Sequence, residues 1–123
     1  MYWHHWFAIG SVLGGLAVGL GAFGAHALKA KLSPEYLQVF ETAVRYQMYH
    51  AVALLAVGFA STRIDNWVVK VSGFSFMLGT LLFSGSLYTL VLVDNAKWAG
   101  PITPIGGVFL LLGWIFLASA AFI

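Results

Sequence analysis

The chain has 123 residues, 61% of them hydrophobic and only 8% charged, where a soluble domain carries about a quarter charged residues. Mean hydropathy is +0.91, and there is no cysteine. These values exclude a soluble enzyme domain, a disordered tail, a disulfide scaffold, a thiolate metal site and a nucleophilic thiol. They point to an integral membrane protein, with room for about four spans of about 20 residues. The net charge of +2 comes from dispersed Lys and Arg. It reads as membrane orientation and headgroup contact, and no nucleic-acid partner is expected.

The first span is expected over residues 6–27. Ala25, His26 and Ala27 have the look of a signal-peptidase site, but residues 1–6 carry no Lys or Arg. The apolar run is also longer than the roughly 7–15 residues of a signal h-region, so a retained span is expected. It holds Gly10, Gly14, Gly15, Gly19, Gly21 and Gly24. Gly10/Gly14 and Gly15/Gly19 are at G-x-x-x-G spacing, which lets helix backbones approach closely. Two uses remain open: packing inside one bundle, or a seam between copies.

After Lys29 and Lys31, Ser33-Pro34-Glu35 is a helix start, with an N-cap, Pro at the first helical position and an acid in the first turn. One helix over 34–61 would be roughly 40 Å long, longer than the hydrocarbon core of about 30 Å. The intramembrane part is therefore placed at 42–61. The third span is expected over 67–93, with Lys70 snorkelling near its start. The fourth is expected over 103–123, with Thr103 as N-cap and Pro104 at the first helical position. Tyr2, Trp3, Trp6, Trp67 and Trp98 fall near span ends, as an aromatic belt requires. Trp114 is the exception, midway along the last span. The fold class is thus an all-α membrane protein, a four-transmembrane-helix bundle with a long second helix preceded by a polar loop.

Four alternating spans sort the polar residues by depth. His26, Glu41, Arg45, Tyr46, Gln47, His50, Ser84, Ser86 and Tyr88 fall toward the end where the first span finishes. Intramembrane ionisable residues are costly and count as functional candidates. Glu41 and Arg45 are i,i+4 with the acid first, the favourable order for an ion pair. Tyr46, Gln47 and His50 share another face, entering the membrane. Ser84 and Ser86 flank Gly85, where hydroxyls bonding the i−4 carbonyl would bend the helix. No G-x-S-x-G elbow, HExxH pair or phosphate loop is present.

Four ordered segments carry a resemblance: GAFGAHAL at 21–28, YQMYHA at 46–51, LFSGSLY at 82–88 and TPIGG at 103–107. Together they resemble the YgdD-like family of small bacterial inner-membrane proteins, catalogued as domain of unknown function 423. The resemblance implies four transmembrane helices and brings no catalytic residue, substrate or cofactor. Family members often end in a basic tail, whereas this chain stops at Ile123. Orientation stays open: four Lys and Arg lie at the end holding Lys29 and two at the other, while a basic tail would favour the opposite assignment.

The expected function is a non-enzymatic structural or accessory subunit of the cell's inner (plasma) membrane. It would sit in the lipid bilayer as a homo-oligomer or dock on a larger membrane complex, with no cofactor and no metal. The alternative is a small transporter or a ligand-binding protein, for lipid, quinone or haem, using the polar cluster around His26 and His50.

Overall fold

The computed structural model describes residues 2–123, and among them are four α-helices and no strand. Helix α1 spans Trp3–Phe23 and continues into a π-helical segment, Gly24–Leu28. Helix α2 spans Pro34–Ser61, α3 Trp67–Leu92 and α4 Ile102–Ser119. Short 3-10 turns, Lys97–Ala99 and Ala120–Phe122, flank α4.

The starts follow local chemistry. Ser33 Oγ accepts from the Tyr36 N–H at 3.2 Å, with Pro34 in the first turn, so one amide at the helix start is satisfied. Asn66 Oδ1 does the same for Val68 N–H at 3.1 Å. Two expected boundaries shift. Helix α1 begins at Trp3 instead of residue 6. Helix α4 begins at Ile102 with Pro101 in the N-cap position, so Thr103 lies inside the helix, not at its cap.

Three segments are long and apolar enough to cross a membrane: Trp3–Leu28, Trp67–Leu92 and Lys97–Phe122. Helix α2 has the length, at 28 residues, but Glu41, Arg45, Gln47 and His50 dilute its apolar character.

Packing follows chain order, α1 on α2, α2 on α3 and α3 on α4. Each pair is antiparallel. Gly10 lies against Ala51 and Leu54, while Gly24 lies against Phe40. Ser84 meets Ala43 and Phe76 meets His50. Gly79 meets Leu110 and Gly106 meets Phe83. The main core gathers Trp6, Leu54, Val57, Val69, Phe76 and Leu110. A smaller one at the other end holds Leu28, Phe40 and Val91. Trp6 reaches past α2 to α3, where its ring lies edge-on to Phe74 at 5.0 Å and occupies the space beside Gly73.

Close approach is what the buried glycines supply. A Cβ on Gly10 would stand 2.7 Å from the Ala51 carbonyl oxygen, and one on Gly106 would run into the backbone nitrogen of Phe83. The two G-x-x-x-G pairs of α1 point different ways. Gly10 and Gly14 face α2, as do Gly21 and Gly24, whereas nothing lies within 4 Å of a Cβ on Gly15 or Gly19.

Overpacking a tight core position costs about 1–3 kcal/mol. Gly106→Leu should therefore lower the thermal midpoint of the detergent-solubilised protein. Gly85→Leu, with nothing within 4 Å of its Cβ, should leave it nearly unchanged. Fluorescence melts of the two variants side by side check this.

Candidate functional site

Every interior polar group of a bundle in lipid must be satisfied by protein. Here the buried side chains do so mainly across helix boundaries. Gln47 is buried on α2. Its Nε2 donates to the Leu13 carbonyl of α1 at 2.8 Å, and its Oε1 accepts from the Tyr88 hydroxyl of α3 at 2.7 Å. One amide thus joins three helices. Ser84 Oγ donates to the Ala43 carbonyl of α2 at 2.7 Å, and Ser72 Oγ to the Gly113 carbonyl of α4 at 2.8 Å. Ser86 Oγ is paired with Thr103 Oγ1 across α3 and α4, and also donates to Phe83 O at 2.9 Å.

His50 joins α2 to α4. Its Nδ1 lies 2.7 Å from the Tyr46 carbonyl, and its Nε2 lies 3.1 Å from Trp114 Nε1. A carbonyl only accepts and an indole N–H only donates. The imidazole therefore carries its proton on Nδ1, is neutral, and has both nitrogens occupied. Trp114, out of place in an aromatic belt, is explained by this bond. Among the described residues, two buried polar atoms have no partner, Trp6 Nε1 and Thr80 Oγ1.

The expected cluster is brought together only in part. Gln47, His50, Ser84, Ser86 and Tyr88 converge on the bundle interior, while Tyr46, on α2 like Gln47 and His50, is exposed and packs its ring on Phe83. His26 does not join them. It is exposed on the π-helical turn, with Nδ1 2.8 Å from the Ala22 carbonyl of its own helix. Its neighbour Gly24 packs on Phe40, ten residues before His50, a separation of about 15 Å by helical rise. Shared ligation of haem or metal by His26 and His50 is therefore not formed. Glu41 and Arg45 are exposed. They line a shallow groove against Gly21, Gly24 and Phe40, and no ion pair forms between them. Ser84, expected to bond its own helix, bonds the neighbouring one instead. Nor is the buried polarity confined to one end, since Ser72 and Ser75 are buried in the other half of α3 and Thr80 at its middle.

Helices α2 and α4 hardly touch through their backbones, and an open groove of about 460 Å³ lies between them. Tyr46 and Tyr49 form one wall and Gly107, Leu111 and Trp114 the other, with His50, Phe83 and Leu110 beneath. Tyr46 stacks on Phe83, with ring centroids 4.6 Å apart. Residue order gave no sign of Phe83 or Gly107 as groove residues; the position of Trp114 away from the belt was the one available signal.

The family model described as protein of unknown function (DUF423) matches residues 20–107, a stretch that contains all four motif segments. The chain belongs to this family. It is 50% identical over 117 residues to UPF0382 membrane protein SAB0533 of Staphylococcus aureus, covering 93% of this chain and 92% of that protein. It is 48% identical over 117 residues to UPF0382 membrane protein SSP2132 of Staphylococcus saprophyticus, covering 93% of each. It is 45% identical over 114 residues to UPF0382 membrane protein YwdK of Bacillus subtilis, covering 92% of each. No solved structure matches. The three relatives are named as membrane proteins, in keeping with the three apolar helices.

Interhelical hydrogen bonds within membranes average about 0.6 kcal/mol and reach about 1.7. Gln47→Leu strands both the Tyr88 hydroxyl and the second lone pair of Leu13 O. It should cost about 1–2 kcal/mol, and Tyr88→Phe in that background should cost little more. A double-mutant cycle by SDS-driven unfolding, with Gln47→Leu and Tyr88→Phe singly and together, should give a non-additive result.

Proposed function

We propose that this DUF423 protein is a non-enzymatic, multi-pass component of the bacterial inner (plasma) membrane. It crosses the bilayer four times and self-associates, or docks on a larger membrane complex, through the outward face of α1. The observation that carries this reading is the second glycine row. Ala8, Gly15, Gly19 and Ala22 fall within roughly 60° of one another on the helix, and all four are exposed. They lie on the side away from Gly10, Gly14, Gly21 and Gly24, which α2 covers. In lipid, helices associate by close packing of small surfaces, and this row is free to receive another helix.

Four crossings are supported by where α2 turns its polar residues. Gln47 and His50 are buried, while Val52 and Phe59 are exposed, so the two deepest polar side chains of α2 are turned against protein and its apolar ones outward. Trp3 and Trp67 are exposed at one end of the bundle and Tyr36 and Trp98 at the other, the placement of interfacial anchors. A structural role is supported by the polar side chains themselves. Gln47, His50, Ser72, Ser84 and Ser86 are each consumed in holding helices together.

A chain without cysteine is suited to single-cysteine labelling. In intact cells, an impermeant maleimide should reach only one of Lys31→Cys and Arg63→Cys; equal labelling of both would mean that α2 does not cross. Cross-linking in native membranes should give oligomers or a defined complex. The Gly15→Leu/Gly19→Leu pair should abolish them while leaving the melt unchanged. Assembly of that variant at the wild-type level, or a wild type that stays monomeric and alone, would sink the proposal.

A further inference from the structure

We infer that the groove between α2 and α4 binds a flat, carbonyl-bearing ring carried on an apolar chain, the chemistry of an isoprenoid quinone. This rests on the four-crossing reading but is independent of the α1 seam. The starting point is a pair of exposed phenols that line the groove. Tyr46 and Tyr49 lie in the middle third of α2, and both are exposed, at 38% and 52%. Neither hydroxyl has a hydrogen-bond partner among the described residues, in contrast to Tyr88, whose hydroxyl is used by Gln47. With the intramembrane part of α2 placed at residues 42–61, the backbones of Tyr46 and Tyr49 sit roughly 6–10 Å inside the hydrocarbon boundary, where an unpaired hydroxyl is costly. Phenols at the rim of a groove offer donors to an incoming acceptor.

The rest of the groove narrows the class. His50 supplies no free donor or acceptor, because Tyr46 O and Trp114 Nε1 occupy its two nitrogens. That disfavours an occupant needing an imidazole ligand, such as haem. The groove carries no charged side chain, which disfavours an ionic headgroup. Its walls are aromatic: Tyr46 is stacked on Phe83, and Trp114 lies edge-on to Phe76 at 4.9 Å. Such faces receive a planar ring by offset stacking. The backbones of α2 and α4 stay apart beside the His50–Trp114 bond, which leaves the groove open on a side that faces lipid in the four-crossing reading. Gly107 adds no side chain to the far wall, and Leu110 and Leu111 extend it as an apolar track suited to a tail. A saturated acyl chain would fill the same track but leave both phenols unpaired. The volume of about 460 Å³ falls within the usual range of small-ligand sites, about 300–1,000 Å³.

The experiment titrates a decyl-substituted benzoquinone into the protein in lipid nanodiscs and reads tryptophan quenching. Saturable quenching is expected, and Trp114→Phe should remove most of its saturable part. Tyr46→Phe and Tyr49→Phe, which keep the rings, should each weaken binding by about fivefold or more. An alkanol of matched length should compete poorly. Quenching that rises linearly with quinone, as simple partitioning gives, would overturn the inference. So would wild-type binding in both tyrosine variants, or equal competition by the alkanol, which would mark a lipid-chain site. Helical circular dichroism of each variant separates lost binding from lost fold. The maleimide labelling at Lys31→Cys and Arg63→Cys reports the crossing number separately, so its failure is distinguishable from a failure of the ligand.

Discussion

A buried amide needs hydrogen-bond partners for both of its ends, and Gln47 finds them on two different helices. Its NH₂ meets the Leu13 carbonyl of α1 and its oxygen meets the Tyr88 hydroxyl of α3. The three helices are thereby fixed in depth as well as in distance, because a shift of one helical turn along α1 would present a different carbonyl. The other polar contacts repeat the device. A side chain of α3 reaches a backbone carbonyl of a neighbour at Ala43 or Gly113, using the second lone pair of an oxygen already bonded within its own helix. Hydrophobic burial cannot set register in this setting, since lipid is as apolar as the core. Hydrogen bonds and shape can.

Shape comes from glycine. Gly10, Gly79, Gly106 and Gly113 each leave a space that a neighbouring helix fills, and the polar bonds need that proximity to reach 2.7–2.8 Å. The same economy explains why α2 carries so many polar residues. It packs against both α1 and α3, so it has inner surface on two sides where amide, imidazole and small residues can be matched. Helix α4 is held mainly by α3 and by the single His50–Trp114 bond to α2, which leaves the groove between them. Helix α1 keeps an uncovered face for the same reason: only one of its sides meets α2.

Much of this was legible in the residues. Ser33-Pro34-Glu35 fixed the start of α2, because capping is a local reaction between a side chain and nearby amides, and the span expected from residue 67 begins there, with Asn66 as its cap. The G-x-x-x-G spacing announced close packing. It did not say which glycines served which neighbour, since 10/14 and 15/19 have the same spacing and differ only in facing α2 or not. Likewise, depth sorting grouped His26 with His50. Depth along an axis is readable from chain order, whereas lateral position depends on which face of α1 meets α2, and that face leaves His26 outside. Glu41 and Arg45 had the right spacing for an ion pair, but on an exposed surface that spacing permits a contact without enforcing it.

By itself, the sequence determined the solvent, the number of helices, the starts of α2 and α3, and the antiparallel order that short loops impose. Those depend on composition and on interactions within a few residues. Only the tertiary structure decided the tautomer of His50, the role of Trp114, the three-helix reach of Gln47 and the groove between α2 and α4. Each of these requires two or three helices to be rotated and seated against one another. That seating is set by the joint fit of glycine spaces and polar partners, which no single segment contains.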